Sequence, residues 1–151
     1  MIKIICLGKI KEKSVQEVIK EYQKRLTKYT KLELIELEDI KDKDVNYALK
    51  REEEEILKHI KKDDNLIILD INGKEYTSEE FASLIDKELT YNSNITFIIG
   101  SSHGLSKTIK ELTSKKVSFS KLTFPHQLFR LIFFEQLYRS FKIINNEEYH
   151  K

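Results

Sequence analysis

Three short apolar segments, each followed by a stretch with helical periodicity, do most to limit what this chain can fold into. They cover residues 2–7, 66–71 and 95–99, and each contains a single polar or charged residue. Continuous apolar runs of this length are typical of parallel strands covered on both faces. Strands that alternate with helices predict an α/β fold with a mostly parallel sheet. Segments 32–37 and 116–119 complete the predicted strands, and the predicted helices are 14–28, 44–61, 78–89, 106–112 and one that begins at Pro125.

Local signals at the ends of the helices support this order of elements. Ser14 and Glu17 have the spacing of a capping box at the start of the first helix. Ser78 is predicted to cap the third helix, and Asn72-Gly73 is predicted to form a turn after the strand at 66–71. Pro125, the only proline, suits the first turn of the final helix.

Length and composition exclude several classes of protein. A chain of 151 residues with 40% hydrophobic residues predicts a single domain, residues 1–151, with one core. One cysteine, Cys6, cannot form an internal disulfide, and no Cys/His cluster has zinc spacing. We expect no metal site, because the four consecutive glutamates at 52–55 are interpreted as a solvated helix face. No apolar run reaches the length of about 18 residues that a transmembrane helix needs, so we expect a cytoplasmic protein without a membrane partner.

The charges are unevenly distributed along the chain. Residues 1–35 carry nine Lys/Arg and four Glu, a balance of +5, and residues 115–151 carry seven basic and three acidic residues, a balance of +4. The middle, residues 36–114, carries eleven basic and eighteen acidic residues, a balance of −7. If the two ends meet in the fold, they form a positive face suited to phosphate groups. Scatter of charge over a solvated surface explains the pattern equally well.

Ligands of parallel α/β sheets bind at the carboxyl ends of the strands, and three strand ends carry suitable residues. They follow Leu69, Ile99 and Phe119, and the loop after Ile99 contains Gly100 and Gly104, where the backbone can approach a ligand closely. The loop lacks the GxGxxG pattern of dinucleotide sites, and neither a Walker loop nor a GxSxG elbow is present. A nucleotide-binding hydrolase is therefore a poor reading of this sequence.

The final helix is apolar around much of its circumference, which predicts that it is covered, in part by a second subunit. Glu135 lies on its apolar face, four residues before Arg139. An ion pair explains this glutamate without any chemistry, whereas a carboxylate on an apolar face is also a candidate for a raised pKa. The polar tail after this helix ends in Tyr149, His150 and Lys151, where Tyr149 could stack on a base.

Taken together, the motifs resemble the bacterial large-subunit ribosomal RNA methyltransferase H family over the whole chain. The resemblance lies in Gly-Lys after the first strand, Leu-Asp-Ile-x-Gly-Lys at 69–74, Phe-Ile-Ile-Gly at 97–100, Gly-Leu at 104–105, Phe-Ser-Lys-Leu-Thr-Phe-Pro-His at 119–126, Glu-Gln-Leu-Tyr-Arg at 135–139 and the final Tyr-His-Lys. The 119–126 stretch and the final tripeptide are the most specific of these.

The resemblance implies an α/β-knot of the SPOUT class, with a C-terminal trefoil knot, that acts as a homodimer. It implies transfer of a methyl group from S-adenosyl-L-methionine to N3 of a pseudouridine in 23S ribosomal RNA of the assembled ribosome. No metal is required for such a transfer. By position, the residues that would bind the cofactor are Leu69, Gly100, Phe119, Ser120, Lys121, Leu122, Thr123 and Phe124.

Our hypothesis for the mechanism places the acceptor site at the end of the chain. Glu135, Arg139 and His150 would form the catalytic group, and Tyr149, His150 and Lys151 would contact RNA, from the partner subunit. Either His150 or Glu135 could remove the ring proton. The chain departs from the family at Ser101, where a second glycine is usual, and we expect a small effect on cofactor binding. The competing interpretation is a dimeric ribosome- or RNA-binding module without catalysis.

Overall fold

The computed structural model describes all residues from 1 to 151 and contains five strands that alternate with five helices. The strands are β1 (Ile2–Leu7), β2 (Leu32–Leu37), β3 (Leu66–Glu75), β4 (Ile95–Ile99) and β5 (Lys116–Ser118). The helices are α1 (Lys13–Leu26), α2 (Val45–Leu57), α3 (Ser78–Tyr91), α4 (Lys107–Glu111) and α5 (His126–Ile144).

All five strands belong to one sheet in the order β2-β1-β4-β3-β5, and every neighbouring pair is parallel. The predicted α/β class with a mostly parallel sheet is therefore confirmed. Because the strands are parallel, all their carboxyl ends lie at one edge of the sheet. The loops after β3, β4 and β5 therefore lie next to one another, where the sequence predicted a ligand site.

The helices cover both faces of the sheet. The larger core, on the face of α1, α3 and α5, contains β1 residues such as Ile4 together with Phe97 of β4 and Phe133 of α5. The rings of Phe97 and Phe133 meet edge to face at 5.1 Å, an arrangement that aromatic pairs favour. The smaller core, on the other face, joins Ile5 and Ile98 of the sheet to Ile56 of α2 and Ile109 of α4.

Helix α5 is covered to a large extent by its own chain. Phe133, Phe134, Leu137 and Phe141 are buried in the larger core. Leu128 at the start of the helix remains 43% exposed, and Leu122 in the preceding loop is 73% exposed. The apolar surface left over for a partner is thus concentrated around the amino end of α5. Neither this helix nor any other has the length and apolar character needed to cross a membrane.

Two of the predicted helix caps are wrong. Helix α1 begins beyond Glu12, whose side chain makes no capping bond, and the loop amides of Lys11 and Glu12 instead bond to the side-chain oxygen of Gln127. Helix α3 is capped by Thr77 rather than Ser78, in a complete capping box with Glu80. In both cases the helix begins before the residue that follows the predicted serine cap, so Ser14 and Ser78 lie inside the first turn and cannot cap it.

Strand β3 is longer than predicted and does not turn at Asn72-Gly73. Its register with β5 shifts between Leu69 and Lys74, both of which are paired with Val117. The four residues between them leave the ladder and then return to it, as in an extended bulge. Gly73 makes the return possible, because a Cβ atom there would lie 2.7 Å from the backbone of Val117.

Candidate active site

The loops after β3, β4 and β5 meet in a cleft of about 530 Å³, which we term the strand-end cleft. It is lined by parts of three chain segments, 69–71, 99–105 and 117–126, with Lys110 and Phe129 completing the wall. This volume is within the range of about 300–1,000 Å³ typical of small-molecule sites. The walls combine aromatic and aliphatic side chains with exposed backbone, a composition suited to a largely apolar ligand held by main-chain groups.

The β4–α4 loop forms one wall of the cleft in a narrowly defined conformation. Ser101 and Gly104 form an isolated bridge, and Gly104 has a φ of +78°, which favours glycine. Gly100 lies directly behind this turn, since a Cβ atom there would come within 2.5 Å of the carbonyl oxygen of Gly104. The two glycines are thus required for different reasons, the first for space and the second for its backbone angles.

An ion pair forms the opposite wall. The carboxylate of Asp70 is 2.8 Å from the ammonium group of Lys110 and accepts a hydrogen bond from the amide of Asn72. Burial raises the pKa of Asp70, but the bonds from Lys110 and Asn72 outweigh it and hold the pKa below its usual value. The cleft therefore contains a fixed negative and a fixed positive charge side by side, able to meet the charged ends of a zwitterionic ligand.

His126 lies between the strand-end cleft and the loop after β1. Its Nε2 atom is 2.8 Å from the guanidinium group of Arg130, which is fully buried. Arg130 also donates hydrogen bonds to the carbonyl oxygens of Leu7 and Gly8 and to the carboxylate of Glu36. Burial, and then the charge of Arg130, hold the pKa of His126 below its usual value, so this imidazole is neutral at pH 7.

The four glutamates of α2 do not form the solvated face that was expected. Glu52 and Glu53 are buried, and Glu54 alone of the four is exposed. Glu52 reaches the loop that walls the strand-end cleft: its carboxylate accepts hydrogen bonds from the hydroxyl group of Ser101, which lines the cleft, and from the amide of Ile40, both at 2.9 Å. The burial of Glu52 could have been predicted from the sequence, because Glu52 is four residues from both Ala48 and Ile56 and so shares their buried face.

The predicted acceptor residues form a second group, the tail cluster, which consists of Glu135, Arg139, Tyr149 and His150 with Glu79 of α3. Arg139 and Glu135 form the expected i,i+4 ion pair. The hydroxyl group of Tyr149 donates to Glu135 at 3.2 Å, and the ring of Tyr149 lies under the guanidinium group of Arg139. His150 joins Arg139 to Glu79, with its Nδ1 atom 3.2 Å from Arg139 and its Nε2 atom 2.6 Å from Glu79.

Burial and hydrogen bonding adjust the ionisation of the tail cluster. Desolvation, followed by a hydrogen bond with Tyr22, raises the pKa of Tyr149 well above its usual range. The hydrogen bond from Arg139 to Glu135 raises the pKa of the guanidinium group further. At neutral pH, Tyr149 is therefore a neutral hydrogen-bond donor and Arg139 is a cation.

The tail cluster and the strand-end cleft of one chain are separate. Phe129 is the last residue of α5 that lines the cleft, and Glu135 is six residues further along the helix. At the rise of an α-helix this corresponds to a separation of about 9 Å. No member of the tail cluster lines the cleft. Two groups that the sequence assigns to one reaction thus lie in different places on the same chain.

The residues predicted to bind the cofactor come together, with one exception. Leu69, Gly100 and the 119–124 segment all line the cleft except Lys121, whose side chain is exposed to solvent. The predictions from sequence did not include the Asp70–Lys110 pair, the buried Arg130 or Glu52. Only Glu52 had a periodicity signal; the other two depend on contacts between distant segments.

The two basic ends of the chain meet in the fold, which is the condition for a shared positive face. Helix α1 packs along α5, where the ring of Tyr29 stacks on Phe141 at 5.8 Å and Tyr22 lies against Tyr138 at 5.8 Å. Lys20 and Lys24 of α1 are exposed and form no ion pair. The outer surface of α1 therefore carries two lysines that no ion pair neutralises.

The parallel sheet with a cleft at its strand ends is the architecture of an α/β ligand-binding enzyme, and comparison with known proteins narrows the class. A family model described as "Predicted SPOUT methyltransferase" matches residues 1–150. The chain therefore belongs to the SPOUT methyltransferase family. A solved structure of a methylase family protein from Haemophilus influenzae Rd KW20 covers 99% of this chain and 70% of its own, with a TM-score of 0.57 and 15% identity, which supports the fold alone.

Curated relatives place the chain more narrowly. It is 49% identical to the ribosomal RNA large subunit methyltransferase H of Caldicellulosiruptor saccharolyticus, with 100% of both chains covered. It is 52% identical to the protein of the same name from Clostridium botulinum, with 99% of both chains covered. Within the SPOUT class, the chain thus belongs to the ribosomal RNA large subunit methyltransferase H family.

Proposed function

We propose that this protein uses S-adenosyl-L-methionine to methylate N3 of a pseudouridine in 23S ribosomal RNA of the assembled ribosome. The observation that carries the proposal is the convergence of three separate strand-end loops in one cleft, at the positions to which the resemblance assigns the cofactor. The names of the full-length relatives support ribosomal RNA as the substrate. The proposal includes the C-terminal trefoil knot that the resemblance implies.

The residues of the strand-end cleft fit the proposed cofactor. Phe119, Phe124 and Leu69 offer apolar surface for an adenine ring, and the backbone of the 100–104 loop is accessible because Gly100 and Gly104 have no side chains. Asp70 and Lys110 are suited to a ligand that carries both an ammonium and a carboxylate group. When bound, the cofactor supplies an electrophilic methyl group. The protein contributes mainly by holding donor and acceptor in line.

The acceptor ring must lose its N3 proton, and we propose that a residue of the tail cluster receives it. Arg139 can only donate, so His150 accepts at Nδ1 and, when neutral, carries its proton on Nε2 toward Glu79. Glu135 is engaged by Arg139, Gln136 and Tyr149. Either base must therefore give up one present contact when the acceptor enters, and both stay candidates.

We propose that the complete active site forms in a homodimer, from the strand-end cleft of one subunit and the tail cluster of the other. The separation of about 9 Å along α5, and a cleft lining that contains no tail-cluster residue, favour a tail cluster supplied by the other subunit. Leu122 and Leu128, which are exposed beside the cleft, provide apolar surface for the contact. An isologous dimer would then contain two equivalent sites.

The direct test measures cofactor binding and product in the same preparation. Isothermal titration of S-adenosyl-L-methionine should give saturable binding that Gly100→Val abolishes. Ribosomes that lack the modification should then accept label from the cofactor, and digestion to nucleosides should yield N3-methylpseudouridine. Saturable binding to ribosomes without cofactor binding or methyl transfer would favour the non-catalytic module instead.

Two variants separate the candidate bases. If Glu135 receives the proton, Glu135→Gln loses turnover while ribosome binding persists, and His150→Asn retains turnover; the reverse pattern identifies His150. Near-normal turnover in both variants would show that the tail cluster does not supply the base.

Subunit mixing tests the composite site. Gly100→Val and a tail variant, His150→Asn or Glu135→Gln as the previous test selects, are each inactive alone. After exchange, mixed dimers contain one site with both halves intact, and activity should return to about a quarter of the wild-type value. Persistent inactivity in a preparation shown to contain mixed dimers would mean that each site is built within one chain.

A further inference from the structure

Glu52 occupies an unusual place for a carboxylate. It lies one turn before Ile56 on the buried face of α2, and it is 1% exposed. From there it joins two loops that are distant in sequence: the amide of Ile40, after β2, and the hydroxyl group of Ser101, after β4. The contact with Ser101 spans 49 residues and reaches the wall of the strand-end cleft.

No cation is paired with Glu52, unlike the neighbouring Glu53, which pairs with Lys50. The other buried glutamate, Glu88, is also compensated, by Lys115. Burying a carboxylate without a cation is costly unless hydrogen bonds satisfy it, and Glu52 has two neutral donors for this purpose. One of them is the hydroxyl group of Ser101, a residue of the β4–α4 loop.

We propose that Glu52 is a positioning residue for the strand-end cleft: through Ser101 it holds the 100–104 loop in the conformation that binds S-adenosyl-L-methionine. The inference rests on the proposed function and adds a residue outside the cofactor-binding set. Ser101 then has a defined purpose, since its side chain replaces the freedom of a glycine with an anchored conformation. Through this bond, Ser101 connects helix α2 to the wall of the cleft.

The geometry of the loop explains how one contact can act on the whole wall. Ser101 is bridged to Gly104, and its Oγ atom also accepts from the amide of His103 at 3.4 Å. Fixing the side chain of Ser101 therefore fixes the turn around it. The carbonyl oxygen of Gly104 lies so close behind Gly100 that any movement of the turn displaces the backbone at Gly100.

The test compares the cofactor affinity of three variants at a temperature at which each is folded. Glu52→Leu removes both acceptors and should weaken binding about tenfold, as expected for loss of a charged hydrogen bond. Glu52→Gln should stay within about twofold of wild type, because its amide can accept from Ile40 and donate to Ser101. Ser101→Ala should weaken binding by about threefold to tenfold, since it leaves the carboxylate with one partner.

A double-mutant cycle separates positioning from general stability. In a Ser101→Gly background, Glu52→Leu should change the affinity much less than in the wild type, because the contact it breaks is already absent. Turnover at saturating cofactor should change less than the dissociation constant does. The control is Glu88→Leu, which removes a buried carboxylate near the amino end of β3 and should lower the melting temperature without changing cofactor affinity.

Hydrogen exchange in the cofactor-free protein shows whether Glu52 orders the 101–104 loop, independently of methyl transfer. Glu52→Leu should increase amide exchange at 101–104, and Glu88→Leu should not. If the wild type binds no cofactor, the proposed function fails, while the exchange data still show whether Glu52 orders the loop. If the wild type binds cofactor and Glu52→Leu binds it equally well, with unchanged exchange, the positioning role is overturned.

Discussion

The guanidinium group of Arg130 donates a 2.6 Å hydrogen bond to the carbonyl oxygen of Gly8, 122 residues away in sequence. The same group reaches Leu7 and His126, so one buried side chain joins the loop after β1 to the start of α5. Gly8 has a φ of +84°, a backbone conformation that this contact helps to hold.

Replacing Arg130 should therefore be among the most damaging single changes. Arg130→Met leaves two buried carbonyl oxygens without a donor, and we expect the free energy of unfolding to fall by about 3 kcal/mol. Urea denaturation measures this. Arg51→Met, which removes an exposed pair with Glu54, should shift the midpoint very little. Comparable losses in the two variants would contradict the role assigned to Arg130.

The two glycines of the β4–α4 loop should respond differently to alanine. Gly100→Ala places a methyl group 2.5 Å from the oxygen of Gly104 and should abolish cofactor binding. Gly104→Ala meets no atom within 4 Å, so it should incur only the backbone strain of a positive φ, about 1–2 kcal/mol or at most about thirtyfold in affinity. Titration calorimetry on the two variants measures their cofactor affinities. Equal losses of affinity would mean that backbone angles, and not the space at Gly100, determine the effect of substitutions in this loop.

Cys6 should be chemically silent in the folded protein. Burial raises its pKa to about 12, against a smaller opposite effect of Arg130. The thiolate is the reactive form, and its fraction at pH 8 is negligible for such a group. A colorimetric thiol reagent should therefore react only after unfolding in urea, at the rate of unfolding. Rapid reaction in native buffer would contradict this expectation.

Acid should weaken the contact between α1 and the tail. Hydrogen bonds from Lys142 and Tyr29 lower the pKa of Glu147 to about 2, from a usual value of 4.5. A group with a lowered pKa in the folded state stabilises the protein above its unfolded pKa, and this contribution is lost as the pH falls through the folded value. The stability difference between wild type and Glu147→Gln should accordingly shrink from pH 5 to pH 2. A constant difference would rule out this linkage.

The exposed lysines of α1 should act on ribosome binding and leave the cofactor alone. Lys20→Glu with Lys24→Glu should raise KM for the ribosome about tenfold and reduce its dependence on salt, because phosphate contacts are lost. Lys61→Glu with Lys62→Glu, exposed near the amino end of β3, is the matched control. If both double substitutions raise KM for the ribosome equally, the lysines act through the net charge of the protein and not through one face.

The elements of the fold could be predicted because their signals are local. The apolar runs of β1, β3 and β4 specified buried parallel strands, and parallel strands brought Leu69, Gly100 and Phe119 to one cleft. The caps were less predictable, since Gln127 reaches the amides before α1 from a segment 115 residues away. No pattern near Ser14 could have indicated that.

The errors in the site have the same origin. Glu52 sits in a run of four glutamates, and a charged run is usually solvated; its burial depends on Ser101 and Ile40 arriving from other loops. The sequence around Arg130 does not indicate its structural role, because the backbone of Gly8 that it binds comes from a distant segment of the chain. Glu135, Arg139, Tyr149 and His150 lie together because they share one helix and its extension, yet their separation from the cleft emerges only in three dimensions.

The displaced residues of β3 have a consequence for how this enzyme family can vary. Because Val117 is paired on both sides of the excursion, segment 70–73 can change without moving the registers of the sheet. It is also the segment that brings Asp70 and Ile71 into the cleft. Natural drift or laboratory grafting at these few positions can therefore reshape the ligand chamber while the surrounding architecture stays intact, provided that the glycine at 73 is retained.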